Sequence, residues 1–186
     1  MNSEKAKSHH IKDENALHFL TFTVVGWVDI FSRKVYRDLI IDNLDYCRKN
    51  KGLELYAYVV MTNHMHLVAR AKEGNKLSEI VRDYKKFTSK EIKKLLNDPI
   101  ESRREWMKIL FTKAGEWNSN NVDFQFWKQN NQPIELYSNH VIDQKIDYIH
   151  NNPVKAGFVE KPEDYLYSSA RFYAGMDYLL KIDRME

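Results

Sequence analysis

Two hydrophobic periods alternate along the chain. From Ala16 to Trp27 (ALHFLTFTVVGW) apolar, β-branched and aromatic residues occupy both faces, which predicts a central β-strand. Val35, Leu39, Ile40, Leu44 and Cys47 then recur at close to helical spacing and predict a helix over Val35–Lys49. Gly52, after a basic last turn, marks its end. Leu53–Met61 and His64–Ala71 return to strand character, and only Thr62-Asn63 separates them, so a hairpin is expected. Leu77–Leu96 reads as a long amphipathic helix and roughly Glu101–Lys113 as a charged one, followed by a polar loop at Asn118–Asn121. Phe124–Lys128 (FQFWK) reads as a fourth strand, and Pro133–Tyr137 leads into the last well-marked helix, Asn139–Asn152. Ser138 is placed to cap that helix, and Asn152-Pro153 to end it.

The order β-α-β-β-α-(α)-β-α is close to the ferredoxin-like β-α-β-β-α-β plan. The expected fold is therefore α+β, with a single antiparallel sheet, extra helices and a C-terminal extension from about residue 154. Residues 1–15 read as a charged, flexible lead-in and 16–186 as one domain; 186 residues suffice for one substantial core.

Composition narrows the picture. With 43% hydrophobic and 30% charged residues the chain is an ordinary globular protein, not a disordered one. No stretch approaches the ~20 apolar residues that span a bilayer, and the first fifteen residues lack the apolar core of a signal peptide. A soluble, cytoplasmic protein without membrane partners is expected. The single cysteine, Cys47, cannot form an internal disulfide, which fits a reducing compartment. A net charge of +3 permits nucleic-acid binding without demanding it, and eleven tyrosines serve either as core residues or as surfaces on which bases stack.

The candidate chemistry lies in two places. Side chains alternate along a strand, so His64 and His66 share one face while Met65 points to the other. Such a pair either reaches one metal ion, given a third ligand from elsewhere, or is two half-exposed strand histidines with no shared ligand. In the helix IDQKIDYIHNNP, Ile142, Ile146 and Ile149 form a core-facing stripe. Tyr148 and Asn152 lie together beside it, with Gln144 one turn before. A phenol is a poor nucleophile at neutral pH, but it can attack a metal-polarised phosphate to give a phosphotyrosine. The amide oxygen of Asn152 is a candidate third ligand. The alternative reading of Tyr148 is an ordinary amphipathic tyrosine on a docking helix.

VVMTNHMHLV, followed much later by IDYIHNNPVKAGFVEKPEDYLYSSARFY, resembles the single-tyrosine HUH transposases, and most closely their REP-associated tyrosine transposase branch, which is related to the small insertion-sequence transposases. The likeness runs from about Leu17 to Tyr173. It implies a ferredoxin-like core whose central strand carries the histidine pair, with a helix bringing the tyrosine over it. By that likeness His64, His66 and Asn152 hold a divalent metal, Mg²⁺ or Mn²⁺. Tyr148 attacks a scissile phosphate in single-stranded DNA, keeps a 5′-phosphotyrosine link and releases a 3′-hydroxyl. A second 3′-hydroxyl then attacks the link, and strands are exchanged without nucleotide hydrolysis or a small-molecule cofactor. The implied substrates are DNA hairpins formed by imperfect palindromes. Arg70, Lys85, Lys86, Lys90, Lys93, Lys155 and Arg171 are candidate phosphate contacts, and the protein is expected as a monomer or homodimer. Two departures stand out: the Asn97–Asp123 stretch is longer than in compact members, and Asn152 stands where insertion-sequence relatives more often have glutamine.

Two other functions fit parts of the sequence. One is a binder of structured single-stranded DNA, retained by its host, that no longer cuts. The other is a zinc hydrolase built on the His-x-His pair, which needs another histidine, cysteine or carboxylate. Asp147 is the nearest carboxylate in sequence, but its helical angle points it away from Tyr148.

Overall fold

The computed structural model describes residues 11–99, 101–116, 123–129 and 133–185. Its elements, in order, are β1 (His18–Thr23), α1 (Lys34–Asn50), β2 (Leu53–Val60), β3 (His64–Ala71), α2 (Leu77–Leu95), α3 (Arg104–Glu116), β4 (Ile134–Glu135), α4 (Asn139–Lys155) and α5 (Ala170–Tyr173). One sheet of order β2-β3-β1-β4 is antiparallel throughout. That is the α+β, ferredoxin-like arrangement the element order implies, with β3 and β1 in the middle.

The two sheet faces have different partners. Leu20, Phe22, Met65 and Leu67 are buried on the face covered by α1 and α2. Each such side chain contributes roughly 1.5–3 kcal/mol on burial. Tyr84 of α2 reaches through this layer, its hydroxyl 3.4 Å from the Ile40 carbonyl oxygen and 3.5 Å from Met65 Sδ. Helix α2 buries Leu77, Ile80, Val81, Tyr84, Thr88 and Ile92, the i, i+3, i+4, i+7 stripe of an amphipathic helix. The opposite face, which carries Phe19, Thr21, His64 and His66, is packed by α4.

The β2–β3 hairpin turns through Thr62-Asn63, closed by Met61 N–H donating to the His64 carbonyl (2.8 Å). Neither turn residue has positive φ, so this is not the primed turn usual in two-residue hairpins. Tertiary bonds hold it instead: Phe31 N–H donates to the Thr62 carbonyl and Val24 N–H to the Asn63 carbonyl, both at 2.9 Å.

Three expectations are corrected. Phe124–Lys128 is not a sheet strand, since Trp127 makes only one isolated bridge, to Val24. Phe126 and Trp127 are both buried, so the segment is a plug between α3 and the end of β1, where one apolar run reads the same as a strand. Gly115 permits this approach, because a Cβ there would come within 2.5 Å of the Phe124 nitrogen. The fourth strand is the two-residue β4, in the segment expected to be a connector. The last helix also runs past Asn152, through Pro153 to Lys155. A proline this close to the end forfeits one hydrogen bond. The chain then closes with Phe158 N–H on the Pro153 carbonyl and Gly157 N–H on the Val154 carbonyl, with Gly157 at φ 75°.

The lead-in is anchored before β1: Glu14 accepts from the Ser78 backbone N–H (2.8 Å), and Asn15 Nδ2 donates to the Ala71 and Lys72 carbonyls. Residues 1–10 and the predicted Asn118–Asn121 loop lie outside the described residues. The C-terminal extension runs along the edge of β2. Val60 N–H donates to the Tyr167 carbonyl and Ser169 N–H to the Tyr58 carbonyl, while Asp183 and Leu55 exchange two bonds of 2.8 Å. Unpaired strand edges invite association with other chains, and this strap covers one. Tyr165 and Tyr173 donate to the Val60 and Tyr56 carbonyls, so these tail tyrosines are structural. No helix among the described residues is long and apolar enough to cross a membrane.

Candidate active site

The ladder places Thr23 opposite His64 and Thr21 opposite His66. Alternation along β3 turns both imidazoles to the face that α4 packs. The two rings stand edge-on, 4.9 Å between centroids. Tyr148 comes down from α4 with its ring 5.3 Å from His66 and 5.9 Å from Phe19, which itself stacks on His66 at 5.1 Å. The tyrosine is 40% exposed while His66 is only 5% exposed, so the site has a dry floor and an accessible phenol.

Hydrogen bonds fix what the imidazoles can do. His64 Nδ1 lies 2.7 Å from Asn63 Oδ1. A carbonyl oxygen only accepts, so the proton sits on Nδ1 and Nε2 keeps its lone pair. His66 Nδ1 is 2.9 Å from Thr21 Oγ1; with the hydroxyl accepting, His66 Nε2 is left in the same state. Burial holds His64 below the usual histidine range. Burial, with the charges of His64 and Lys145 adding to it, pushes His66 down to about 3. Both rings are thus neutral at physiological pH, the form in which imidazole binds a metal. Among the described residues no group of three histidine, cysteine, aspartate or glutamate side chains could share an ion. A third protein ligand drawn from these residues would be of another type, such as an amide oxygen.

Asn152 lies one turn beyond Tyr148 on α4 and is half-buried. His150 points elsewhere: its Nε2 is 2.8 Å from Ser169 Oγ and its ring packs on Tyr173.

The seven basic candidates separate sharply. Lys155 Nζ lies 5.7 Å from the Tyr148 ring centroid and belongs to the site. Lys85, Lys86, Lys90 and Lys93 are on α2, across the sheet from the histidines. Lys85 Nζ donates to the Lys128 carbonyl (2.6 Å), and burial lowers its pKa to about 8. Lys93 lies over Phe124, and Lys86 and Lys90 border a groove between α1 and α2 that Tyr46 and Phe87 also line. Arg70 is paired with Glu54, and Arg171 holds the Asp177 and Glu163 carbonyls of the tail.

Lys145 was not singled out by the sequence, yet its Nζ sits 4.8 Å over the Phe19 ring and 5.8 Å from that of Tyr148. Its place beside Tyr148 was available in its spacing, since i and i+3 on a helix are neighbours, whereas its approach to Phe19 was not. Thr21 and Phe19 could not be found so simply, because their roles depend on strand register.

The family described as IS200-like transposase matches residues 22–119, just over half of the 186-residue chain. This segment includes the histidine pair and stops short of Tyr148. No curated protein matches significantly. Among solved structures, a REP-associated tyrosine transposase bound to a REP hairpin aligns over 97% of this chain and 94% of its own, with 19% identity and a TM-score of 0.64. A candidate transposase from Deinococcus radiodurans R1 aligns over 77% of this chain and 95% of its own, with 18% identity and a TM-score of 0.43.

Proposed function

The chain belongs to the family of IS200-like transposases, and from that premise we propose that it is a strand transferase acting on single-stranded DNA through Tyr148. The observation that carries this reading is the packing of the Tyr148 phenol against His66, 5.3 Å between rings, on the face where two neutral imidazoles lie side by side. The similar structure that holds a REP hairpin supports hairpin-forming DNA as the substrate, and the proposal places the protein in the cytoplasm.

The donor set fits a divalent cation. His64 and His66 would supply lone pairs on Nε2, with the Asn152 amide oxygen as a third protein ligand. Bound there, Mg²⁺ or Mn²⁺ polarises a phosphoryl oxygen and stabilises charge that develops on it. The protein's own groups do the rest. Tyr148 Oη attacks the scissile phosphorus as the P–O3′ bond breaks. The phenol gives up its proton, the departing 3′ oxygen gains one, and the 5′-phosphate stays on the tyrosine. Lys145 and Lys155, near the phenol ring, neutralise the phosphate as it arrives and hold charge through the transition state. An incoming 3′-hydroxyl reverses the sequence, restoring Tyr148 and joining new strands. Lys85 and Arg171, whose donors are held internally, take no part in this scheme; Lys86 and Lys90 would meet phosphates only of DNA reaching around to α2.

Covalent capture tests the proposal. A labelled hairpin oligonucleotide with single-stranded flanks is incubated with Mg²⁺ or Mn²⁺ and run on a denaturing gel. Wild type gives a slow-migrating adduct and Tyr148→Phe gives none. The same adduct from both proteins removes Tyr148 as nucleophile. Tight binding with no adduct under either ion favours the non-cleaving binder.

A further inference from the structure

Beyond β1 the chain makes two consecutive left-handed steps, Gly26 at φ 65° and Trp27 at φ 57°. Glycine adopts this conformation readily, whereas a bulky L-residue does so rarely. Trp27 is the only non-glycine residue with positive φ among those described. Such strain persists where the surroundings over-determine it, and they do here. Trp27 N–H donates to the Val24 carbonyl (3.1 Å) and Val25 N–H to the Phe126 carbonyl (2.8 Å). Gly26 lies so close to α3 that a Cβ would sit 3.1 Å from Leu110 Cδ1.

The result is an indole held in place and held outside. Trp27 is 57% exposed, although the neighbouring Val24 and Val28 are buried. Its ring stands edge-on to His64 with 6.2 Å between centroids, and Lys128 Nζ lies 4.3 Å from its own centroid. Asn63 joins the two features: its Oδ1 accepts from His64 Nδ1–H, and its Nδ2 donates to the Trp27 carbonyl (3.4 Å). The Trp27 backbone is therefore tied to the turn that carries His64, and the indole meets the His64 ring edge-on. A fixed aromatic face with a cation against it, at the lip of a site for phosphate chemistry, matches what a single strand presents: a flat base next to an anionic linkage.

We propose that Trp27 is the stacking platform for one unpaired nucleobase beside the scissile phosphate, with Lys128 neutralising the adjoining backbone. This rests on the reading of the site as one for single-stranded DNA. It adds a subsite that holds a base, where His64, His66 and Tyr148 act on a phosphate. Stacking is tolerant of base identity, so the subsite sets the strand's position more than its sequence.

The test reads binding alone. Proteins carrying Tyr148→Phe, without divalent ions, are titrated by fluorescence anisotropy with a labelled hairpin copied from the DNA flanking the coding sequence. A matching series has one abasic residue moved along the single-stranded flank. With Trp27 intact, one abasic position weakens binding roughly tenfold, within the range of a base–aromatic stack. Trp27→Ala weakens binding to the intact hairpin by a similar factor and no longer responds to that position. Trp27→Phe keeps most of the affinity and the response. Lys128→Gln lowers the salt dependence by about one unit of slope. The inference is overturned if Trp27→Ala binds like its parent or still responds to the abasic position, or if no abasic position matters with Trp27 present. It falls alone if the Tyr148 adduct forms normally in the capture experiment. Where wild type neither binds nor forms an adduct, it falls together with the function. If Trp27→Ala fails to fold, as circular dichroism would show, the Trp27→Phe protein and the abasic series still decide.

Discussion

Thr21 and His66 are direct partners across the β1–β3 ladder, and the Thr21 hydroxyl lies 2.9 Å from His66 Nδ1. With the hydroxyl accepting, that bond leaves the lone pair on His66 Nε2. Thr21→Val preserves shape and strand propensity but removes the oxygen. It should lower affinity for Mn²⁺ about 10- to 100-fold, the usual effect of losing a group that orients a metal-binding histidine. Titration calorimetry measures it, and Thr21→Ser should recover most of the loss. Unchanged affinity in Thr21→Val would mean that His66 is not oriented this way or not a ligand.

Lys145 lies over Phe19 and near Tyr148 from one side, while Lys155 approaches Tyr148 from a later turn of the same helix. Replacing Lys145 by glutamine keeps the stem and removes the charge. Adduct formation should slow by about tenfold or more, by analogy with other lost transition-state donors, and Lys145→Arg should be intermediate. Single-turnover capture gels give the rate; equal rates for all three proteins would remove Lys145 from the site.

Two buried histidines make the fold sensitive to mild acid. His66 is pushed to about 3 and His150, 8% exposed, to about 4, with burial the first cause for each. Unfolded, both return to about 6.5. Between pH 6.5 and 4 the unfolded chain therefore binds more protons, and stability falls as pH falls through this window. Each ring contributes a slope of up to about 1.4 kcal/mol per pH unit. Urea midpoints at pH 7 and pH 5 should differ clearly, and His150→Asn should flatten part of the difference. A midpoint that does not move over this range would contradict the burial of both rings as neutral groups.

The strap on β2 depends on Asp183. Its carboxylate accepts from Leu55 N–H and from Arg48 at 3.1 Å, and its own N–H donates to the Leu55 carbonyl. Asp183→Ala leaves a largely buried guanidinium with one long contact to Asp45. It should cost about 2 kcal/mol, as for a charged hydrogen bond lost, and increase self-association through the uncovered edge. Denaturant unfolding and light scattering report the two effects. A variant as stable and monodisperse as wild type would show that the remaining strap bonds, those of Val60, Ser169, Tyr165 and Tyr173, hold it without Asp183.

These relationships were unequally legible in the sequence. The β2–β3 hairpin is legible as two apolar runs split by Thr62-Asn63, and the isoleucine stripe of α4 as burial that repeats at the helical period. FQFWK defeats that logic: Phe126 and Trp127 are buried between a helix and a strand end, and an apolar run carries no sign of which. The two residues of β4 are too few to show alternation. Pro153 suggested a stop because its ring excludes the preceding turn's hydrogen bond, yet one lost bond is tolerable a turn from the end. The pairing of His66 with Thr21, and the approach of Lys145 to Phe19, depend on strand order and register. Neither is a local property, so neither could be read from spacing.

The placement of the two imidazoles on an interior strand divides the site into parts with different freedom. Shifting His64 or His66 means breaking ladder bonds to β1 on one side and β2 on the other, so amide protons there should exchange only when the whole domain opens. Tyr148 rides on a helix that meets the sheet through side chains and shares no ladder bond with it. The phenol thus meets the imidazoles through ring packing and not through the ladder. In the proposed function, the DNA end is therefore carried by a different element from the one that holds the imidazoles.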